Sequence, residues 1–426
     1  MSALSLVLLQ VLLIIVSAQV LGALAQKLGQ SKVTGEIIAG ILLGPTLFGQ
    51  ISPDAYHFVF LSSSPLSLSV LGEVGLILLM FQIGLEFDKT HLTVRSYQSQ
   101  AVFIALAGLG LPFIFGLGLG WHTHARLSPA EPLVAGALFC GIALSVTALP
   151  VLVRMLTELG AAELVLGRIC IVAAAITDVL AWIVLAVVIA VAKTGPVAQT
   201  LFVQLGLLFG YLAVCWFVAG PALRWAVAFL HRRQDRIRLT PMALMLVAAL
   251  LSGMTTSVLG FHSAFGGLVM GLLLSGNKTL VRQWHDEVAG FVHLFLLPLF
   301  FAMAGSRAQL GNIASWHEAW WFFVFLAAAI GGKFGGCYLA AIACRLDRRE
   351  ARVIGALMNT RGLMELVVLN IGLEMHLISV TLYSILVFMA IATTMMTVPL
   401  VQRWWPVGLA ARSAQGGSLH VDMEAH

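Results

Sequence analysis

Long hydrophobic runs separated by short polar gaps extend along nearly the whole chain. A helix needs about 20 residues to cross the hydrocarbon core of a bilayer, because each residue advances it by about 1.5 Å. On that scale the pattern predicts an all-α polytopic membrane protein with about thirteen transmembrane helices. The predicted spans are 4–25, 33–50, 67–87, 97–120, 132–156, 164–192, 199–224, 240–257, 258–276, 288–305, 316–344, 351–373 and 378–402. The hydrophobic stretch 240–276 is too long for one crossing, so the prediction divides it near Gly260.

The positive residues in the gaps predict the orientation of the chain. If the N-terminus lies outside, most of the 24 Lys and Arg residues fall in inside gaps. The outside gaps then contain just Arg126, Lys193 and Arg307. Cytoplasmic loops carry an excess of Lys and Arg, so this bias predicts an N-out, C-in topology. The expected location is a bacterial inner membrane.

The composition excludes a soluble protein. Hydrophobic residues make up 60% of the chain and charged residues 10%, and the mean hydropathy is +0.98. A net charge of +5 could indicate nucleic-acid binding, but the basic residues are spread over many gaps between spans. We therefore expect membrane lipid as a partner and no nucleic acid. The five cysteines lack metal-ligand spacing and are interpreted as small core residues.

The chain contains hints of an internal repeat. With an odd number of spans, two six-helix halves around a linking helix have opposite orientations. The sequence GEIIAGILLGP (35–45) is echoed by GFHSAFGGLVMGL (260–272). Helix breakers or polar residues also interrupt corresponding spans, in GIALSVTALPVL (141–152) and MNTRGLMELVVLN (358–370). Discontinuous helices in matching positions of inverted repeats indicate the midplane site of a transporter.

Asp178 lies near the middle of the sixth span, in the otherwise uncharged run IVAAAITDVLAWIVL. An ionisable group at this depth costs about 3 kcal/mol or more, so it indicates an ion or proton pathway. The alternative is a structural Asp that caps a broken helix or is neutralised by a fixed partner.

The fifth span offers oxygen atoms that could accompany this carboxylate. Pro150 predicts a kink or break just before it, because proline removes a backbone donor and clashes with the preceding turn. The break frees carbonyl groups near residues 145–149, and Ser145 and Thr147 add hydroxyls. Oxygen ligands suit an alkali cation better than a transition metal. The alternative is that both hydroxyls bond to their own helix.

Two basic residues lie inside predicted spans. Lys333, in AAAIGGKFGGCYL, is expected to pair with an intramembrane acid, although it could also extend to the membrane interface. Arg361 and Glu365 are four residues apart and could pair along one helix face, with Glu73 as a second candidate partner for Arg361. We interpret these three residues as structural ion pairs that hold a broken helix in register.

Six motifs then occur in a fixed order along about residues 1–403: GEIIAGILLGP, LGEVGLILLMFQIGLEFD, ALSVTALPVLVRMLTELG, ITDVLAW, GFHSAFGGLVMGLLLSG and NTRGLMELVVLNIG. In this order they resemble the monovalent cation:proton antiporter superfamily. The likeness is greatest to its second branch, which contains bacterial potassium-efflux and cation/proton exchangers and the plant- and fungal-type cation/proton exchangers.

The resemblance implies a homodimer in which a transport core moves in an elevator mechanism and two discontinuous helices cross. It places dimerisation-domain helices in 1–96 and 240–315, core helices in 97–192 and 316–403, a linker helix and basic loop in 193–239, and a short cytoplasmic tail in 404–426. It also implies the ion-binding carboxylate at Asp178, the crossing-helix motif at Ser145 and Thr147, and the basic residue at Lys333.

The chain departs from the pattern of electrogenic members at Thr177. Those members have a second acid immediately before the ion-binding Asp, whereas Thr177 offers a hydroxyl without a charge. The usual acidic neighbour of Lys333 is therefore missing, and a two-proton stoichiometry is not supported. Asp178 or Glu365 could take the place of that neighbour.

The sequence thus predicts a secondary antiporter, and not an enzyme, that exchanges H⁺ for Na⁺ or K⁺ and serves pH homeostasis. Asp178 would bind either ion, with Thr177, Ser145 and Thr147 beside it, so exchange should be electroneutral. No cofactor is expected beyond the transported ions, and a separate regulatory subunit is left open. The alternatives are a proton-coupled exporter of a small organic molecule and, less favoured, an ion channel.

Overall fold

The computed structural model describes residues 3–28, 30, 32–61, 66–86, 95–147, 149–158, 161, 164–194, 198–232, 239–259, 261–308 and 315–404. Within these ranges the regular structure is entirely helical, so the predicted all-α class is confirmed. Residues 405–426 of the predicted tail 404–426 and residues 233–238 of the predicted basic loop lie outside the described residues, whereas Trp404 ends the last helix.

The first half of the chain forms α1 Ala3–Lys27, α2 Lys32–Leu43, α3 Phe48–Ile51, α4 Pro53–Tyr56, α5 Leu66–Glu86, α6 Arg95–Leu127, α7 Leu133–Ser145, α8 Leu149–Glu158, α9 Val165–Thr194, α10 Ala198–Val214 and α11 Gly220–Arg232. The second half forms α12 Leu239–Val258, α13 Ser263–Leu274, α14 Lys278–Trp284, α15 Leu297–Arg307, α16 Trp316–Ala343, α17 Arg348–Met358, α18 Leu363–Glu374 and α19 Val380–Trp404. Single π-helical turns occupy His57–Leu61, Cys215–Ala219, His285–Ala289 and Val292–Leu296.

Every predicted span overlaps one of these helices or a pair of them. Among the described residues, eight helices are long and apolar enough to cross a membrane alone. A ninth is added if the two segments of Lys278–Arg307, which are bent by 46°, count as one span. The remaining spans are shorter or divided, so the number of thirteen crossings stays a prediction. The bend coincides with two π-helical turns, which interrupt the regular hydrogen-bond ladder.

The predicted discontinuities are present. The fifth span consists of α7 and α8 with residues 146–148 between them, and Pro150 lies in the first turn of α8, where a missing N–H costs least. We call residues 146 and 147, which lie outside both helices, the first break. The twelfth span consists of α17 and α18 with residues 359–362, the second break, between them. The stretch 240–276 divides into α12 and α13 around residue 260, as its length required.

The chain forms two compact units, and unit 1 consists of Met1–Lys89 and Ala186–Gly311. In this unit α2 packs against α15, and α13 packs against α5. A Cβ atom on Gly40 of α2 would collide with the Ala302 carbonyl, and one on Gly271 of α13 with the Phe81 carbonyl. Close backbone approach through glycine is typical of transmembrane helix pairs. Helices α2 and α13 are matching helices of the two halves, and each packs against a helix from the opposite half of the chain. This arrangement agrees with the predicted inverted repeat.

Unit 2 consists of Thr90–Leu185 and Asn312–His426, and it contains both breaks. Helix α6 packs on α7 and α16, and α16 also packs on α17 and α19. Apolar side chains from α6, α8, α9, α16, α17 and α19 form a common buried cluster. The two units divide the chain close to the boundaries expected for dimerisation and core helices, while those roles themselves stay predictions.

Candidate functional site

Asp178 lies near the middle of α9 and is 7% exposed. Neither of its carboxyl oxygens has a hydrogen-bond partner among the described residues. The Lys333 ammonium and the backbone amide of Leu149, the first residue of α8, both attract the carboxylate. The partial positive charge at the start of α8 favours an anion there. A buried carboxylate without a fixed partner calls for a neutralising proton or cation.

The three predicted hydroxyl ligands differ in availability. The Ser145 hydroxyl lies 2.7 Å from the Gly141 carbonyl and 2.9 Å from the Leu109 carbonyl, so it is bonded to backbone. The Thr177 hydroxyl donates to the Ala173 carbonyl at 2.8 Å, within its own helix. Thr147 is fully buried, and its hydroxyl has no partner within the described ranges. Of the three, Thr147 therefore has the hydroxyl without a described hydrogen bond, while the Ser145 and Thr177 oxygens, which donate, keep lone pairs that can bind a cation.

Two buried cations cap the end of α7. Lys333 of α16, which is fully buried, donates its ammonium N–H to the Ser145 carbonyl. Arg361, from the second break, donates to the carbonyls of Ala143 at 2.8 Å and Leu144 at 2.6 Å. The last carbonyls of a helix lack partners within it, and positive groups there also oppose the helix dipole. The end of α7 is thus capped by two positively charged side chains.

This arrangement adds contacts to two expectations from the sequence, which both stay predictions. Ser145 contributes a freed carbonyl, and Lys333 bonds to it. Lys333 was expected to pair with an intramembrane acid; in the described part of the chain its ammonium bonds the Ser145 carbonyl, and it attracts the Asp178 carboxylate without a hydrogen bond to it. The physical reason is that the broken helix offers carbonyl oxygens to a buried ammonium. Asp178 is consequently not locked in a hydrogen bond to Lys333.

Arg361 and Glu365 form an ion pair of 2.7 Å in which both side chains are fully buried. Glu365 lies in the first turn of α18. The Thr394 hydroxyl of α19 donates to the Arg361 carbonyl at 2.8 Å and accepts the Arg361 amide at 3.2 Å. Glu73 is an exposed residue of α5, which belongs to unit 1. Its pairing with Arg361 stays a prediction.

Sequence reasoning missed three polar residues of unit 2 around the second break. Thr394 holds the backbone of that break, and the available signal was a threonine pair inside an apolar span. Asn359 and Thr360 lie in the break itself and are buried. The sequence had identified their segment as polar without assigning either residue a role.

Two interrupted helices around an unpartnered, buried carboxylate define the class of this protein as a secondary transporter. Comparison with known proteins identifies its family. Residues 12–404 match the family described as sodium/hydrogen exchanger, transmembrane, and the chain belongs to that family. It is therefore an integral, multi-pass membrane protein, and the predicted relationship to the cation:proton antiporter superfamily is confirmed.

The relatives include proteins from bacteria and fungi. The chain is 34% identical over 409 residues to the Na⁺/H⁺ antiporter NhaS4 of Synechocystis, covering 95% of this chain and 98% of the relative. It is 31% identical over 415 residues to the K⁺/H⁺ antiporter 1 of Saccharomyces cerevisiae, which covers 95% of this chain. The chain spans about half the length of that yeast relative, 47%.

A solved structure shows the same fold. The sodium proton antiporter MjNhaP1 of Methanocaldococcus jannaschii superposes with a TM-score of 0.65, covering 95% of this chain and 97% of that one. The sequence identity is 14%, so this likeness concerns the fold.

Proposed function

We propose that this chain is a secondary antiporter that exchanges H⁺ for a monovalent alkali cation, Na⁺ or K⁺, through Asp178. The observation that carries the proposal is the pair of Asp178 carboxyl oxygens, which are buried and have no hydrogen-bond partner among the described residues. The family assignment supports it. In this proposal the chain is a carrier without cofactor or catalytic residues.

Competition for one carboxylate produces the exchange. A proton or an alkali cation neutralises Asp178, and a site with neither leaves a bare charge in the membrane, which costs about 3 kcal/mol or more. The loaded states can therefore cross the barrier and the empty state does not. Thr147 adds a neutral oxygen, which an alkali cation uses as a ligand and a proton on the carboxylate does not need.

Lys333 and Arg361 act as fixed positioning charges in this mechanism. Both are bonded to the end of α7, so they hold the first break open beside Asp178. During the cycle, neither residue has to form a new ion pair or release a proton. The proposal assigns the change of charge during the cycle to Asp178.

The proposed assembly is a homodimer through helices of 1–96 and 240–315, with 97–192 and 316–403 as the moving core. The location is a bacterial inner membrane, with the N-terminus outside and the C-terminus in the cytoplasm. The distribution of Lys and Arg supports the orientation, and the division of the chain into two units supports the domain assignment.

Reconstituted vesicles with a preset pH gradient test the exchange. We expect NaCl or KCl to dissipate the gradient, as reported by a pH-sensitive dye, while choline chloride at the same ionic strength does not. Protein-free vesicles serve as the control. If no alkali cation moved protons but an organic substrate did, the chain would be an organic exporter instead.

One carboxylate also predicts that exchange is independent of voltage. A site that carries one proton or one monovalent cation has the same charge in both loaded states. A net charge moved per cycle would couple to the potential by about 2.3 kcal/mol per 100 mV. We expect equal rates at 0 and −100 mV, with the potential set by an ionophore for an ion other than the cargo. Rates that change several-fold with voltage would contradict the single-carboxylate mechanism.

A further inference from the structure

The second break contains buried oxygen atoms that the mechanism above does not use. Asn359 is the C-cap of α17 and is 3% exposed, and Thr360 follows it and is fully buried. The Asn359 amide oxygen and the Thr360 hydroxyl have no hydrogen-bond partner among the residues that the structure describes. Buried polar atoms are nearly always bonded, so two neighbouring exceptions indicate a partner outside the chain, either water or a bound ion.

The helices that end at the two breaks differ in whether a positive side chain bonds to their last carbonyl groups. At the first break, Lys333 and Arg361 bond to the last carbonyls of α7. At the second break, the bonds described at the end of α17 come from backbone amides, those of Asn359 and Thr360. The negative end of the α17 dipole is therefore left without a bonded cation in the described part of the chain.

The two breaks also meet within unit 2. Arg361, the residue after Thr360, reaches the carbonyl of Leu144 at 2.6 Å, and Thr147 follows Leu144 by three residues. Arg361 and Lys333 each have acceptors already, in Glu365 and the α7 carbonyls. Among the described residues, the negative groups of this region without a hydrogen-bonded cation are therefore the Asp178 carboxylate, which Lys333 attracts without bonding, and the end of α17.

We propose that Asn359 and Thr360 are ligands of the transported alkali cation, presented to it by the second break. The proposal rests on the proposed function and extends the cation site from one discontinuous helix to both. An amide oxygen, a hydroxyl oxygen and a helix C-terminus are neutral or weakly negative oxygen donors, which suit Na⁺ and K⁺. A proton bound to the Asp178 carboxyl does not need them. The two residues thus act on cation affinity and selectivity and not on proton binding.

Substitutions that remove these oxygens test the proposal in the vesicle assay. We expect Asn359→Ala and Thr360→Val each to raise the KM for the cation by about tenfold, since a bond to a charged group is lost. The maximal rate at saturating cation should remain within about twofold of the unsubstituted protein. Thr360→Ser, which keeps the hydroxyl, should restore the original KM.

Matched controls come from the next helices of the same unit. Asn370 is also a buried asparagine, but its amide oxygen accepts from the Tyr383 hydroxyl at 3.1 Å. Thr393 is a buried threonine whose hydroxyl donates to the Met389 carbonyl at 2.9 Å, within its own helix. Asn370→Ala and Thr393→Val should leave the KM for the cation unchanged.

Cation-dependent thermal stabilisation of the purified protein gives a second readout without transport. A ligand that binds the folded state raises its melting temperature. We expect NaCl or KCl to stabilise the unsubstituted protein relative to choline chloride, and to do so less for Asn359→Ala and Thr360→Val. This comparison applies to any variant that elutes as a folded protein, even one with a low maximal rate.

The outcomes separate this proposal from the proposed function. Unchanged KM and unchanged cation stabilisation in Asn359→Ala and Thr360→Val, together with loss of exchange in Asp178→Asn, would overturn the role of the second break alone. Absence of cation-driven proton movement in the unsubstituted protein would overturn both.

Discussion

Replacing Asp178 by Asn is expected to abolish cation-driven proton movement, with a loss of at least about 100-fold in the vesicle assay. The amide has nearly the shape of the carboxyl but binds neither a proton nor a cation as a neutralising partner. The site would then be neutral at all times and would cross the barrier without exchange. Gel filtration should show a folded protein, because the charge being removed has no described hydrogen-bond partner to lose.

The matched control for this substitution is Asp286→Asn. Asp286 is an exposed carboxylate whose contact with Arg282 is 4.0 Å long. Its removal should leave the exchange rate unchanged. Exchange that persisted in Asp178→Asn at a rate similar to that of Asp286→Asn would remove Asp178 from the mechanism.

The sequence was most informative about features that depend on local chemistry. Hydrophobic runs of membrane length identify helices directly, because the bilayer requires every backbone group of a span to be bonded within it. Pro150 and the polar run 358–362 identified the breaks, since both act on the turn in which they lie. Asp178 stood out because one charge inside an apolar run is costly wherever the helix packs.

The partners of the buried cations could not be predicted in the same way. Lys333 and Ser145 are 188 residues apart in the chain, and Arg361 and Leu144 are 217 apart. Spacing indicated the Arg361–Glu365 contact because both residues lie within one helical turn. It gave no information on whether a lysine would meet a carboxylate or the carbonyls of a broken helix.

The hydroxyls show a further limit of sequence reasoning. Thr177 lies inside α9, where the carbonyl four residues earlier is always within reach. Thr147 lies after the end of α7 and lacks such an acceptor. The difference depends on where α7 ends, to within two residues, and patterns do not fix helix ends that closely. Asn359 and Thr360 were missed because polar residues at a helix end are usually caps.

Replacing Arg361 by Met is expected to destabilise the protein by about 3–5 kcal/mol, the largest stability effect that the structure indicates. The substitution leaves the Glu365 carboxylate buried without its counter-ion. It also removes the donors to the Ala143 and Leu144 carbonyls at the end of α7. The loss should appear as a lower melting temperature of the detergent-solubilised protein, followed by size-exclusion chromatography of heated samples.

A second substitution separates the two causes of that loss. In the Arg361→Met background, Glu365→Gln should recover part of the melting temperature, because the unpaired buried charge is gone while the α7 carbonyls remain without donors. The control is Arg282→Met, which breaks a pair of the same i, i+4 spacing between side chains that are 86% and 70% exposed. Exposed pairs contribute about 0–1 kcal/mol, so this variant should melt close to the unsubstituted protein. If Arg361→Met melted no lower than Arg282→Met, the ion pair and the α7 cap would not be what holds the two breaks together.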